Sequence, residues 1–241
     1  MHGKLDIARV AQILKVNPVT LRRWEKQNLI QSHRDHPTAH RYYYEDDIED
    51  FLSSHYKYLL KLAQRWSFEK IAMNIPLRFY CRDAAVFKSR LSKLEILLQK
   101  NTSLTEKFSL VTAVVGEIGN NSFDHNLGNW PDLPGLFFGY SLQERKIILA
   151  DRGQGVLTTL KRVKKDLSTH KEALYVAFTE VISGRAPESR GNGLKYVRSV
   201  VQEYKMKLSC NSGDAICFID DDFSVLKSEK NMRGCYTIFQ Y

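Results

Sequence analysis

Gly116-Glu117-Ile118-Gly119-Asn120-Asn121-Ser122-Phe123-Asp124-His125-Asn126 is the stretch on which the fold turns. It follows Leu110, Val111, Val114 and Val115, whose spacing predicts a helix that runs on through the polar residues. Glu117 and Asn121 stand four apart and so project from one helical face. A carboxylate and a carboxamide in that relation can share one magnesium nucleotide, the amide oxygen serving as a hard ligand for Mg²⁺. Two further motifs come in order. Asp151-Arg152-Gly153-Gln154-Gly155 closes the apolar strand Lys146-Ile147-Ile148-Leu149-Ala150. An acceptor-only carboxylate at a strand end takes the amino hydrogens of a purine, and the glycines let the backbone turn beside the base. Gly191-Asn192-Gly193-Leu194 then opens an amphipathic helix marked by Leu194, Val197, Val200, Val201 and Tyr204. Glycines ahead of a helix N-terminus expose backbone N–H groups to an anion.

Each motif alone is common; in this order, behind an ExxxN helix, they resemble the GHKL superfamily with its Bergerat ATP-binding fold. That superfamily is shared by gyrase-type and mismatch-repair ATPases, heat-shock chaperone ATPases, histidine kinases and anti-sigma-factor serine kinases. The resemblance spans about residues 75–241 and implies ATP and Mg²⁺ as cofactors. By it, Glu117 would orient or deprotonate the attacking nucleophile, Asn121 would bind Mg²⁺, and Asp151 would read the adenine amino group. Gly153 and Gly155 would shape the base pocket, and Gly191 and Gly193, with Leu194, would cradle the phosphates. Residues 156–190 would be the lid, from which Arg185 and Arg190 reach the phosphates, and Thr237 stands where the family places a hydroxyl near the adenine. Asp124, three after Asn121, matches the NSxD form of the gyrase and chaperone branches, whereas His125-Asn126 resembles the serine-kinase branch. The branch therefore stays open. The remaining pattern predicts a hairpin from 135–142 and 145–150, a second from 206–211 and 215–219 around Ser212-Gly213-Asp214, and a last strand over 234–241. Cys210 and Cys217 fall on neighbouring strands in this reading, as reduced packing residues.

Toward the N-terminus, Leu5, Ile7, Val10, Ala11, Ile13 and Leu14 fall at helical spacing with Asp6 as a cap or first-turn acid. Val16-Asn17-Pro18 breaks the pattern, and Val19 to Lys26 resumes it with Pro18 in the first turn. Leu21 and Trp24 face the first helix, Leu29 and Ile30 close the small core, and Thr20, Arg22, Arg23 and Lys26 point outward toward a groove and its phosphates. Residues 33–44, ending His40-Arg41-Tyr42-Tyr43-Tyr44, read as a short β-wing, and Glu45-Asp46-Asp47 opens another helix. Over about residues 4–52 the chain resembles the winged helix-turn-helix of the MerR family and related excisionase-like modules. That resemblance puts Thr20, Arg22 and Arg23 on a recognition helix in double-stranded DNA and Arg41 and Tyr42 on the DNA backbone. It also points to a homodimer, since winged modules usually read paired half-sites. A MerR regulator continues into a long dimerisation helix and an effector site, and here this chain departs.

The chain has 241 residues, 43% of them apolar, enough for one large or two small domains with a buried core. The fold class expected is α+β: a winged helix-turn-helix at 1–53, a helical connector at 54–80 that also packs, and a two-layer α/β sandwich of Bergerat type at 81–241. Formal net charge is +9, distributed as 0 over residues 1–53, +7 over 54–103 and +2 over 104–241. The surplus sits in the connector, where Lys57, Lys61 and Arg65 could extend a DNA footprint, attract an acidic partner or simply face solvent. Four cysteines without CxxC spacing and no basic-then-apolar leader predict a reduced, cytoplasmic protein, and no apolar run is long enough for a membrane span.

Two functions follow. In the first, the chain is a DNA-binding transcription regulator whose fit to DNA or a partner changes with bound Mg-ATP. In the second, it is a kinase of the anti-sigma type acting on a substrate or antagonist protein from an adjacent gene, in a two-gene switch or toxin–antitoxin module, the helix-turn-helix giving autoregulation. The chain ends soon after the last expected strand, which leaves no room for the transducer domain of strand-passing or mismatch-repair engines. The acid and proline that flank a sensor-kinase phosphoacceptor are missing around His55.

Overall fold

The computed structural model describes residues 3–100, 107–181 and 192–241. The chain starts with β1 (Lys4–Asp6), α1 (Ile7–Leu14) and α2 (Pro18–Lys26). Asp6 caps α1 by accepting the Arg9 N–H at 2.7 Å, and Asn17 caps α2 by accepting the Val19 N–H at 2.9 Å. Val10, Leu14, Leu21 and Trp24 are buried between the two helices, as their spacing predicts. Two residues differ from expectation. Leu5 pairs in β1 rather than opening α1, and Leu29 remains 42% exposed while Ile30 is buried. β2 (Tyr42–Tyr44) runs antiparallel to β1, with a bridge from His33 to Tyr42, and forms the wing. α3 (Glu45–Ser54) follows directly, its three leading acids facing the positive end of the helix dipole. The helical pattern continues through residue 66, but the chain breaks at His55, where both the backbone N–H and the ring Nδ1 turn back to the Phe51 carbonyl. It resumes as α4 (Tyr56–Phe68).

Beyond a single 3₁₀ turn (Leu77–Phe79) lies an antiparallel sheet of five strands in the order β3-β4-β5-β7-β6. The strands are β3 (Tyr80–Cys81), β4 (Leu136–Ser141), β5 (Lys146–Asp151), β6 (Lys207–Ile219) and β7 (Phe223–Gln240). α5 (Ala84–Gln99), α6 (Phe108–Asn126) and α9 (Gly193–Glu203), with α7 (Gly155–Leu160) and α8 (His170–Thr179), share a core with Leu136, Phe138, Ile147, Leu149 and Phe239. The alternate residues Phe137, Ile148, Ala150 and Tyr236 point the other way, into a second core with Leu59, Leu62, Ala63 and Trp66 of α4. The sheet is thus covered on both faces, and three layers replace the two expected. Strands apolar on both sides cannot leave one side in water, and α4 carries a stripe at the spacing that covers it.

Two further expectations change. The last strand starts at Phe223, far ahead of residue 234, after a turn at 220–222. It pairs with residues 207–219 on both sides of Ser212-Gly213-Asp214, where the register slips twice and the surplus residues fall on β7. Gly213 sits at φ 59, the left-handed conformation of a tight turn, with the His170 ring packed on it. Cys210 and Cys217 flank that turn, and their thiols share a hydrogen bond across it. Finally, the first part of the expected lid is core: Leu160, Leu167, Leu174 and Phe178 are buried. The rest of it, with Arg185 and Arg190, and also Gly191, lies outside the described residues.

α5 and α6 approach closely at Gly119, where a Cβ would stand 2.1 Å from the Phe87 ring. Gly119→Ala is expected to cost about 1–3 kcal/mol through overpacking, seen as a lower urea midpoint at unchanged m-value.

Candidate functional site

The helix-turn-helix presents α2 outward. Arg22 and Arg23 are exposed, and their side chains make no hydrogen bond or ion pair to a described residue; Thr20 is half-buried beside them. The wing differs from its expected role. Arg41 turns inward, its Nη1 donating to Glu25 Oε2 at 2.6 Å, while Glu25 Oε1 accepts the Tyr43 hydroxyl. Burial and the Glu25 carboxylate raise the Tyr43 phenol well above its ordinary value. Glu25, near the end of α2, therefore braces that helix against the wing. Tyr42 gives its hydroxyl to Asp35 at 3.0 Å and lies beneath the Lys4 ammonium. Arg65, expected with the connector's free charge, donates to the Gln12 carbonyl at 3.0 Å and pairs with Glu69 at 3.1 Å, so it fastens α4 to the end of α1.

In the C-terminal unit, the three motifs meet. Asn121, Asp151, Gly155, Gly193, Leu194 and Thr237 line one cavity, walled by apolar side chains such as Ile118, Leu149, Phe178 and Leu208. Asp151 ends β5, buried. Its Oδ2 accepts the Ser122 hydroxyl and its Oδ1 the Gly153 N–H, each at 2.8 Å. Burial pushes its carboxyl up to about 6, opposed by these bonds and one from the Cys235 backbone. Thr237 is buried between Leu149 and Cys210 on the adjacent strands. α9 begins at Gly193, and the Asn192 side chain does not cap its first N–H groups. Glu117 stands at the rim, its Oε2 only 2.4 Å from where a Cβ on Gly193 would be. Asp124 is exposed and does not line the cavity. Gly153 lies behind it, under the Asn126 carboxamide, which fills the space a Cβ would need at 2.1 Å.

The arrangement suits a planar, amino-bearing group deep in the apolar slot with its donor toward Asp151, and an anion at the start of α9. Sequence reasoning missed three residues in and behind this site. Ser122 orients Asp151. Asn126 rivets α6 to the following loop, accepting the Gln154 N–H at 2.7 Å and donating to the Ser122 carbonyl at 2.7 Å. Both were signalled by polar side chains on the buried face that Ile118 starts. The third is Arg152, 2% exposed and turned away from the cavity. It donates to the carbonyls of Trp66, Glu69 and Lys70 at the end of α4 and pairs with Asp132 at 2.6 Å.

The fold and the exposed α2 define a helix-turn-helix protein with an α/β domain joined to it. Residues 5–63 match the model of the MerR HTH family regulatory protein and carry a MerR-family helix-turn-helix domain, of the kind found in DNA-binding transcription regulators. No curated protein matches the chain. Among the described residues, no helix is long and apolar enough to cross a membrane.

Proposed function

We propose that the chain is a DNA-binding transcription regulator whose C-terminal domain is a GHKL-type, Bergerat-fold site for Mg-ATP. The observation that supports it is the convergence of Asn121, Asp151, Gly193 and Thr237, from four separate elements, on one cavity. Asp151 and Thr237 take the adenine, and the N-terminus of α9 takes the phosphates. Asn121 would hold Mg²⁺, its amide oxygen supplying a hard ligand beside the phosphates of the nucleotide. On α2, Thr20, Arg22 and Arg23 read the duplex.

Calorimetric titration of the full chain with Mg-ATP is expected to saturate at one site per chain. Binding should weaken about tenfold in Asn121→Ala, and the variant should lose most of the difference between Mg²⁺ and EDTA. No heat from either ATP or ADP at millimolar concentration would remove this reading. The placement of Glu117 beside the α9 N-terminus also favours phosphoryl transfer, with Glu117 as base toward a hydroxyl of a protein partner. Label from γ-labelled ATP should then reach the product of the adjacent gene and vanish with Glu117→Ala; labelling that survives the substitution excludes Glu117 as the base.

A further inference from the structure

An open groove runs between the helix-turn-helix unit and the sheet, lined by Lys15, Lys61, Arg65, Phe68 and Lys230. The cations come from three elements distant in sequence. Lys15 is the left-handed C-cap of α1, Lys61 and Arg65 lie on α4, and Lys230 lies on β7 within the stretch where its register with β6 slips. Glu69 also lines the groove, but it is matched by Arg65, which is itself spent on the α1 carboxyl end. Lys15, Lys61 and Lys230 are exposed and ion-pair with no described residue. Lys61 and Lys230 rest near aromatic rings, those of Tyr58 and Phe68, each 5.7 Å from the ring centre. The groove therefore offers three uncommitted ammonium groups beside one neutralised pair.

Its position fits a polyanion held by α2. Lys15 precedes Pro18, the first residue of that helix, by three residues, which caps their separation at about 10 Å. Duplex DNA carries a phosphate about every 3.4 Å of its axis on each strand, so backbone flanking the segment read by α2 comes within reach. Flexible ammonium groups act as point charges and need no fixed register with the phosphates they meet, which suits a flank contact rather than a base contact.

We propose that this groove is a second contact for duplex DNA, seating the backbone next to the segment read by α2, and that Lys230 carries the C-terminal domain into the interface. The inference rests on the DNA-reading role of α2, and the test separates the two. The full chain is titrated by fluorescence anisotropy against a labelled duplex of about 30 bp and arbitrary sequence, between about 50 and 200 mM salt. The double variant Lys61→Gln/Lys230→Gln should reduce the slope of log affinity against log salt by about two, and Lys230→Gln alone by about one. Lys88→Gln/Lys93→Gln removes equal charge from α5, across the sheet from α4, and should leave the slope unchanged. Arg22→Gln/Arg23→Gln reports on α2 itself. An unchanged slope in the groove variants, with binding lost in the α2 variant, overturns the groove and leaves α2 standing. A slope lost equally in the α5 control reduces the effect to net charge and also overturns it. No duplex binding by the parent chain overturns both.

Discussion

Arg152→Ala is expected to lower the unfolding free energy by about 3–5 kcal/mol, the range for stripping one partner from a buried ion pair. Arg152 satisfies carbonyl oxygens of Trp66, Glu69 and Lys70, at 2.9 Å for Glu69 and 3.1 Å for Lys70, while pairing with Asp132. These carbonyls lie at and just past the end of α4, where the helix leaves them without an intrahelical partner. Among the described residues, Asp132 would keep one ion-pair partner, the distant Arg233 at 3.7 Å. Arg152→Lys restores charge without the planar fork and should recover only part of the loss. Urea unfolding measures the cost directly. A loss below about 1 kcal/mol would mean that solvent enters the site and replaces the guanidinium.

Asp151→Asn should separate stability from binding. In the native chain the Asp151 carboxyl is pushed up to about 6 by burial, above its ordinary value of 3.8. The folded state thus holds a proton that the unfolded chain has released, and stability falls as pH rises from about 4 to about 6. Above that window the fold carries the full cost, about 3 kcal/mol. Asparagine has no charge to desolvate, and the Ser122 hydroxyl can rotate to accept from the new amide while Gly153 still donates to its oxygen. At pH 7.5 the variant should be more stable by about 1–3 kcal/mol, and the decline between pH 4 and 6 should flatten. On the proposed Mg-ATP reading, affinity for ATP should drop about a hundredfold, since the acceptor which that reading assigns to the adenine amino group is lost. Thermal melts with and without Mg-ATP show both effects together: a higher melting point without ligand and no ligand-induced rise. A ligand-induced rise equal to that of the parent chain would take Asp151 out of base recognition.

Much of this was legible before the fold was known, and for identifiable reasons. The cap Asp6, the break at Val16-Asn17-Pro18 and the spacing of Leu21 and Trp24 are local signals, and the helix-turn-helix follows them closely. The polar face of α6 was equally plain, because Glu117 and Asn121 interrupt an apolar run. What could not be read locally was what lies opposite. Leu136-Phe137-Phe138 and Ile147-Ile148-Leu149-Ala150 show no apolar–polar alternation, the mark of a sheet buried on both faces, yet nothing in them names α4 as the cover. Ser212-Gly213-Asp214 has turn chemistry and does turn, yet nothing in it tells that one long strand, β7, pairs on both sides of it. Arg41 and Arg65 look like surface cations in any one-dimensional reading. Their partners, Glu25 and the end of α1, lie 16 and 53 residues away.

α4 gives the chain a shared wall. It closes the helix-turn-helix matched over 5–63 and at the same time forms the back layer of the sheet, so no cut before, within or after it yields two intact cores. The protein should therefore melt in a single transition, without a separate step for its N-terminal unit. Exchange of that unit for another of its kind will succeed only where the stripe of Leu59, Leu62, Ala63 and Trp66 travels in register with the strands it covers. Inheritance by module and folding by module part company at this helix.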